Sequence, residues 1–254
     1  MLFRESSADG AASALAISQP AHAWISGQLL REWAETPDAG LLLAAEQHDI
    51  GWLDWEVSPS FDARTGRPHL FRAVGAAVHA PMWEAGVERA LGAWGRRVAL
   101  LISRHGSLIY TRYVDRHRAA PDDAAAVDRY LQEQGEKQSA WARSLGLNAA
   151  ALEHDSALLA LSDTLSLALC GDLKTPIDVE APDRAGGRRS LRLTARSHMP
   201  AAFTLSPWPF RGGSLVVEAE ARTLPATGFA TATEMRAWLA AAERVVFRAM
   251  LTPG

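Results

Sequence analysis

Cysteine is almost absent. Cys170 is the only one in 254 residues, so no internal disulfide can staple the chain, and its thiol content fits a reducing compartment. Lysine is nearly as scarce: Lys137 and Lys174 stand alone, and the remaining basic charge is scattered arginine. With a formal net charge of −3, no basic face offers itself to a polyanion, and no nucleic-acid partner is expected. No apolar run approaches the roughly 20 residues of a membrane span, and the opening MLFRESSADG has no charged stretch leading into an apolar one. P-loop, GxGxxG, CxxC and GxSxG motifs are missing as well, which removes a nucleotide cofactor and a serine elbow from consideration. These absences leave a cytoplasmic protein, free of membrane contact, that works on a small molecule.

What is present is apolar content, 48% of the chain, enough to bury a large core. Ser18 followed by Pro20 is a helix start, after which His22, Ile25 and Leu29 fall on one face. Asp38 is an N-cap for a second helix running to about Gly51, with Leu41, Ala45, His48, Asp49 and Trp52 along its buried side. Residues 58–70 form a turn-rich loop placed to shape a pocket entrance. A third helix is expected from about Pro81, with His79 just ahead of it, and a fourth puts Val98, Ile102, His105 and Ile109 on one face. Residues 121–145 read as a charged outer helix. The stretch 157–170 is apolar nearly all round, with Asp163 in its middle. After Gly171 the pattern alternates at 190–195 and 214–221, as in a small antiparallel sheet, and a last helix is expected from about Thr233 to Leu251. The expected fold is mainly α: one domain over residues 1–254, a helical bundle with a core at about 15–172 and a small β appendage with the final helix at about 173–254.

Six side chains carry the chemistry: His22, the pair His48-Asp49, His79, His105 and Asp163. Imidazole and carboxylate are the donors that suit a first-row divalent metal. A single inward histidine is as often a core residue bonded to a carbonyl. Asp163 is harder to place that way, because an ionised carboxylate among leucines costs several kcal/mol unless a cation or strong donors meet it, and no Lys or Arg lies within a helical turn. Trp52, Glu56, Arg64 and Trp208 are candidates to bind substrate at the rim, and Arg104 to meet a phosphate. The second His-Asp pair, His154-Asp155, reads as helix-start chemistry. His69, His117 and His198 lie in loop or charged contexts and take no role.

Taken in order, with HDIG at 48–51, the six residues resemble the HD-domain superfamily of metal-dependent enzymes, in its variant with four histidines and two aspartates that binds two metals. AEQHDIGWLDWE, DARTGRPHLF, LLISRHG and SDTLSLALC are similar to a bacterial family of unknown function within it. The resemblance implies that His22, His48 and Asp163 hold one ion and His79 and His105 the other, with Asp49 bridging. Mixed N/O donors without cysteine favour iron or manganese over structural zinc, and such a centre turns a bridging water into hydroxide at neutral pH. Trp52 stands where many HD enzymes place a lysine, and no GYP signature follows His105, which speaks against a cyclic-dinucleotide phosphodiesterase. The expectation is a metal-dependent hydrolase of a small phosphoester or nucleotide, with Asp49 and Arg104 as its catalytic residues. An HD-type di-iron oxygenase is the alternative, and a metal-binding regulatory protein without turnover is a second.

Overall fold

In the computed structural model, which describes residues 1–6, 13–183, 186–196, 199 and 201–254, the chain opens with two antiparallel strands, β1 (Leu2–Ser6) and β2 (Ser13–Ile17). Helices α1 (Gln19–Arg31) and α2 (Ala39–Gln47) follow, then a 3-10 turn at Ile50–Trp52, the short α3 (Leu53–Val57) and a hairpin of β3 (Phe61–Asp62) and β4 (Arg67–Pro68). Four long helices come next: α4 (Ala76–Trp94), α5 (Arg96–Tyr113), α6 (Pro121–Ser144) and α7 (Ala149–Cys170). Strands β5 (Ile177–Pro182), β6 (Arg188–Ala195), β7 (Ala202–Ser206) and β8 (Leu215–Leu224) precede helix α8 (Ala232–Ala241) and the final strand β9 (Arg244–Pro253).

The helix starts obey local rules. Ser18 Oγ accepts from Ala21 N–H at 3.2 Å, and Asp38 Oδ1 accepts from Leu41 N–H at 2.7 Å, so both expected N-caps close orphan donors of a first turn. The start of α4 does not. Its first turn is held by Asp123 of α6, whose Oδ1 accepts from Ala77 N–H at 2.7 Å, so the helix begins at Ala76 and places His79 and Pro81 inside it. The expected start at Pro81 was wrong because the cap comes from 46 residues away in sequence.

The mainly α expectation is overturned. Seven strands in the order β1-β2-β8-β9-β7-β6-β5 make a mixed sheet curled into a half-barrel, antiparallel except where β7 runs parallel to β9. It is no appendage, since both ends of the chain enter it. Leu191, Leu193, Phe203, Leu205, Val217, Phe247 and Leu251 from its inner face belong to one apolar core with Ile25, Leu29, Leu159, Leu165 and Leu169 of the helices. On the outer face α8 packs Met235 and Leu239 against Ala14, Ala16 and Leu224. The expected last helix stops at Ala241 because 245–251 alternates at period two: Phe247, Ala249 and Leu251 are buried while Arg244, Val246 and Arg248 are exposed. Glu218 and Glu220 of β8 pair with Arg248 and Arg244 across that exposed face at 2.8 and 3.1 Å.

The turn after α2 is pinned to α4 by glycine. A Cβ on Gly51 would overlap the Met82 carbonyl and come within 3.3 Å of the Gly86 Cα, so two backbones touch where no side chain fits. Gly51→Ala is expected to cost about 2–3 kcal/mol through overpacking. Chemical denaturation checks this, and a midpoint shift under a tenth of the wild-type value would contradict it.

Candidate metal centre

Five of the six singled-out residues meet in one place. His22 comes from the first turns of α1, His48 from the C-cap of α2, Asp49 from the turn that follows, His105 from α5 and Asp163 from α7. His22 Nε2 lies 2.7 Å from Asp49 Oδ2, and His48 Nε2 lies 3.4 Å from Asp163 Oδ1 and 3.7 Å from Asp49 Oδ2. His105 Nε2 is 3.5 Å from Asp163 Oδ2. Donors around a metal with bonds of about 2.0–2.1 Å stand roughly 3.3 Å apart at tetrahedral angles, so the His48, His105 and Asp163 spacings suit an ion directly. The donors form two overlapping groups, His48 with His105 and Asp163, and His22 with His48 and Asp49.

Hydrogen-bond accounting shows which nitrogens are bare. His48 Nδ1 donates to the Ala45 carbonyl at 2.9 Å, so its Nε2 is the free edge, and that atom is buried without a partner. Both ring nitrogens of His105 are buried without partners. Such orphans are costly unless something occupies the space between them. Among the described residues, Asp49 and Asp163 pair only with histidines and with no arginine or lysine. The buried Asp49 and the half-buried Asp163 therefore face imidazole edges, with the Met1 amine the one further cation that Asp49 feels among the described residues, and a divalent ion fits this donor set.

The electrostatics follow. Burial pushes against the charged form of Asp49, yet His48 and His22 outweigh it and hold the carboxyl below its usual range; His48, His105 and His22 do the same for Asp163. Burial alone would lower His48, but the Asp49 and Asp163 carboxylates raise it to about 9. Burial takes His105 down to about 4 and His79 likewise. Because His48 has one free nitrogen, it serves one ion, and the two groups cannot both be filled as they stand. A second ion would draw on His22, Asp49 and a further donor.

His79 stands beside the cluster rather than in either group. Its ring stacks between Trp52 and Tyr110, with centroids at 6.0 and 5.4 Å, its Nδ1 shares a hydrogen bond of 2.7 Å with Tyr110 Oη, and it feels the Asp49 charge. Asp163 is the most open member of the cluster, with 13% of its side chain exposed while His22, His48 and His105 are at 1–2%.

The other candidates scatter. Trp52 is buried and forms a wall behind His79. Glu56 is buried too: its Oε1 accepts from Gln19 N–H at 2.9 Å and pairs with the Met1 amine at 3.1 Å. Arg64 is 87% exposed and paired with Asp62. Trp208 packs on Phe210, which bridges to Trp33 beyond the far end of α1, about 16 Å along the helix from His22. Arg104 follows its helix position away from His105, with Nε on Ser156 Oγ at 2.8 Å and its fork on Glu153 at 2.6 Å. His154 and Asp155 lie in the second turn of α7, where Asp155 pairs with Arg97, itself bound to the α2 cap Asp38. His198 lies outside the described residues. Ser26, Ser166 and Tyr110 went unnoticed in the sequence, although Ser26 follows His22 by four residues and Ser166 follows Asp163 by three, spacings that share a helix face.

A family model described as a protein of unknown function (DUF3891) matches residues 1–226. No curated protein matches, and no solved structure does. Nothing in these comparisons points to the HD-domain superfamily, and the resemblance is corrected accordingly. The HDIG tetrapeptide has its own local cause here, since Gly51 is required by the α4 backbone, and the seven-stranded sheet has no place in the helical bundle that the resemblance implied.

The raised pKa of His48 makes metal-free stability depend on pH. With a folded value of about 9 against 6.5, its contribution is complete below pH 6.5 and lost as the pH climbs through 9. The Met1 amine, which burial lowers from its ordinary value, adds a pH dependence of its own, so the comparison is with His48→Gln. The stability difference between the two metal-free proteins should shrink from pH 6.5 to 9. A difference that is constant or grows across that range would contradict the assignment.

Proposed function

We propose that the chain, which belongs to the DUF3891 family of unknown function, is a metal-dependent hydrolase of a small phosphoester or nucleotide, with iron or manganese as its native ion. One observation carries this reading: three imidazole edges and two carboxylates converge where, among the described residues, no arginine or lysine balances the charge. A divalent ion held there supplies Lewis acidity and lowers the pKa of the water it binds.

The residues divide the work by position. Asp49 and Asp163 provide the negative charge that favours a cation over a neutral guest, and the Ala45 carbonyl keeps His48 presenting Nε2. Asp163, the most exposed member of the cluster, would meet the substrate, while Trp52 and Trp83 pack on His79 and His105 and supply an apolar wall. Arg104 and Arg64 are engaged elsewhere, so a phosphoester would owe its affinity to the metal rather than to a guanidinium clamp.

That same diversion of Arg104, with the aromatic enclosure of Trp52, Trp83 and Tyr110, favours a second reading as a di-iron oxygenase of a small organic substrate. The two are separated by oxygen and metal. A hydrolase is indifferent to dioxygen and runs with manganese; an oxygenase needs iron that changes oxidation state. Assays of a phosphoester panel with Mn²⁺ under anaerobic conditions should show turnover that disappears on chelation and in Asp163→Ala. Turnover only with iron and dioxygen would replace the first reading by the second, and failure to bind any divalent ion would remove both. Arg104→Ala provides a further check: metal content should be unchanged, and any cost in kcat/KM should be under tenfold, because its fork is held by Glu153. A loss of 100-fold or more would restore the phosphate role.

A further inference from the structure

Ser26 and Ser166 belong to neither donor group, yet both are fully buried against His22. Ser166 Oγ–H donates to the Asp163 carbonyl at 2.8 Å, and Ser26 Oγ–H donates to Ser166 Oγ at 2.9 Å. A hydroxyl has one proton. With that proton on a carbonyl, which can only accept, Ser166 Oγ meets His22 Nδ1 at 2.9 Å as an acceptor. The histidine must then be the donor there, and its Nε2 faces the Asp49 carboxylate at 2.7 Å, where its own proton is the one a cation would displace.

We propose that the Ser26–Ser166 pair is a positioning device that keeps a proton on His22 Nδ1, so that Nε2 is the atom offered to the cation. The proposal rests on the metal reading above. A serine that bonds a helix carbonyl is commonly a bystander. Two features here go beyond that role. The second hydroxyl, from another helix, fills a lone pair of Ser166 and directs the Ser166 proton away from the ring. His48, by contrast, is oriented by a carbonyl that cannot switch, so His22 is the ligand whose tautomer a rotating hydroxyl could reverse. Were Ser166 to donate to Nδ1, that nitrogen would be bare and the ring's only proton would sit on Nε2 against Asp49, so a cation could take Nε2 only by stripping the ring of its last proton.

Two measurements on the full chain test this. Nitrogen-15 spectra of the metal-free protein should show a protonated Nδ1 on His22; a neutral ring with bare Nδ1 and protonated Nε2 overturns the proposal whether or not the chain binds metal. Titration with Co²⁺ alone, followed by its visible absorption, should give Ser166→Ala an affinity lower by on the order of 10–100-fold, as for other groups that orient metal ligands. Ser166→Thr should restore it, Ser26→Ala should lower it less, and Ser166→Ala should add nothing in a His22→Gln background. A Ser166→Ala effect that persists undiminished in that background marks a structural role and overturns the proposal, as does wild-type affinity in Ser166→Ala. A wild type that takes up no Co²⁺ while keeping the Nδ1 proton contradicts the metal reading and leaves the tautomer device standing.

Discussion

Two carboxylates packed against three imidazoles, with no arginine or lysine beside them among the described residues, set the terms on which the rest of this molecule is built. An ionised group taken out of water is tolerable only when it is met by opposite charge and hydrogen bonds. Asp49 and Asp163 are met by histidines drawn from three helices, α1, α2 and α5, so the packing of α1, α2, α5 and α7 and the charge balance of the site are one problem. The sheet contributes from outside. It packs β8 on α1 and β5 and β1 on α7, and so backs two of the helices that carry the site.

The same constraint orders the chemistry. Protons on the imidazoles and a divalent ion are alternative ways to balance the carboxylates, and the two compete. His48 illustrates this: the charges that raise it to about 9 are the charges that would attract a metal. Groups a step further out orient the rings. Ala45 holds His48 from the backbone and Ser166 meets His22 at Nδ1, each bonding the nitrogen opposite the one nearest Asp49, while Tyr110 holds His79 beside the cluster.

The convergence of the candidate cluster is largely legible in the sequence, and less of the fold is. His22, His48, Asp49, His105 and Asp163 could be found because each polar residue interrupts an apolar helix face, and helical period converts that into a direction. Ser18 and Asp38 could be read as caps because their bonds are local. The sheet was not legible in the same way. β1 and β2 are five residues each, too short to show a period, and β9 follows an alanine-rich helix with neither glycine nor proline between them. The sequence leaves His79 outside its helix because Asp123, whose carboxylate holds that helix's first turn, is remote in sequence. Adjacency to His105 suggests a site role for Arg104, but successive residues on a helix point about 100 degrees apart, and its partners, Glu153 and Ser156, lie on another helix.

The central claim is that the cluster holds a divalent transition metal, and anomalous X-ray scattering addresses it most directly. Crystals grown from protein purified without chelators, with data collected on either side of the iron and manganese absorption edges, should show an edge-dependent peak about 2.0–2.3 Å from His48 Nε2 and from an oxygen of Asp163. Full density for the five side chains with His–Asp hydrogen bonds closing the gap, and no anomalous peak even after soaking in Mn²⁺ or Fe²⁺, would contradict the account: protons alone would then balance the buried charge.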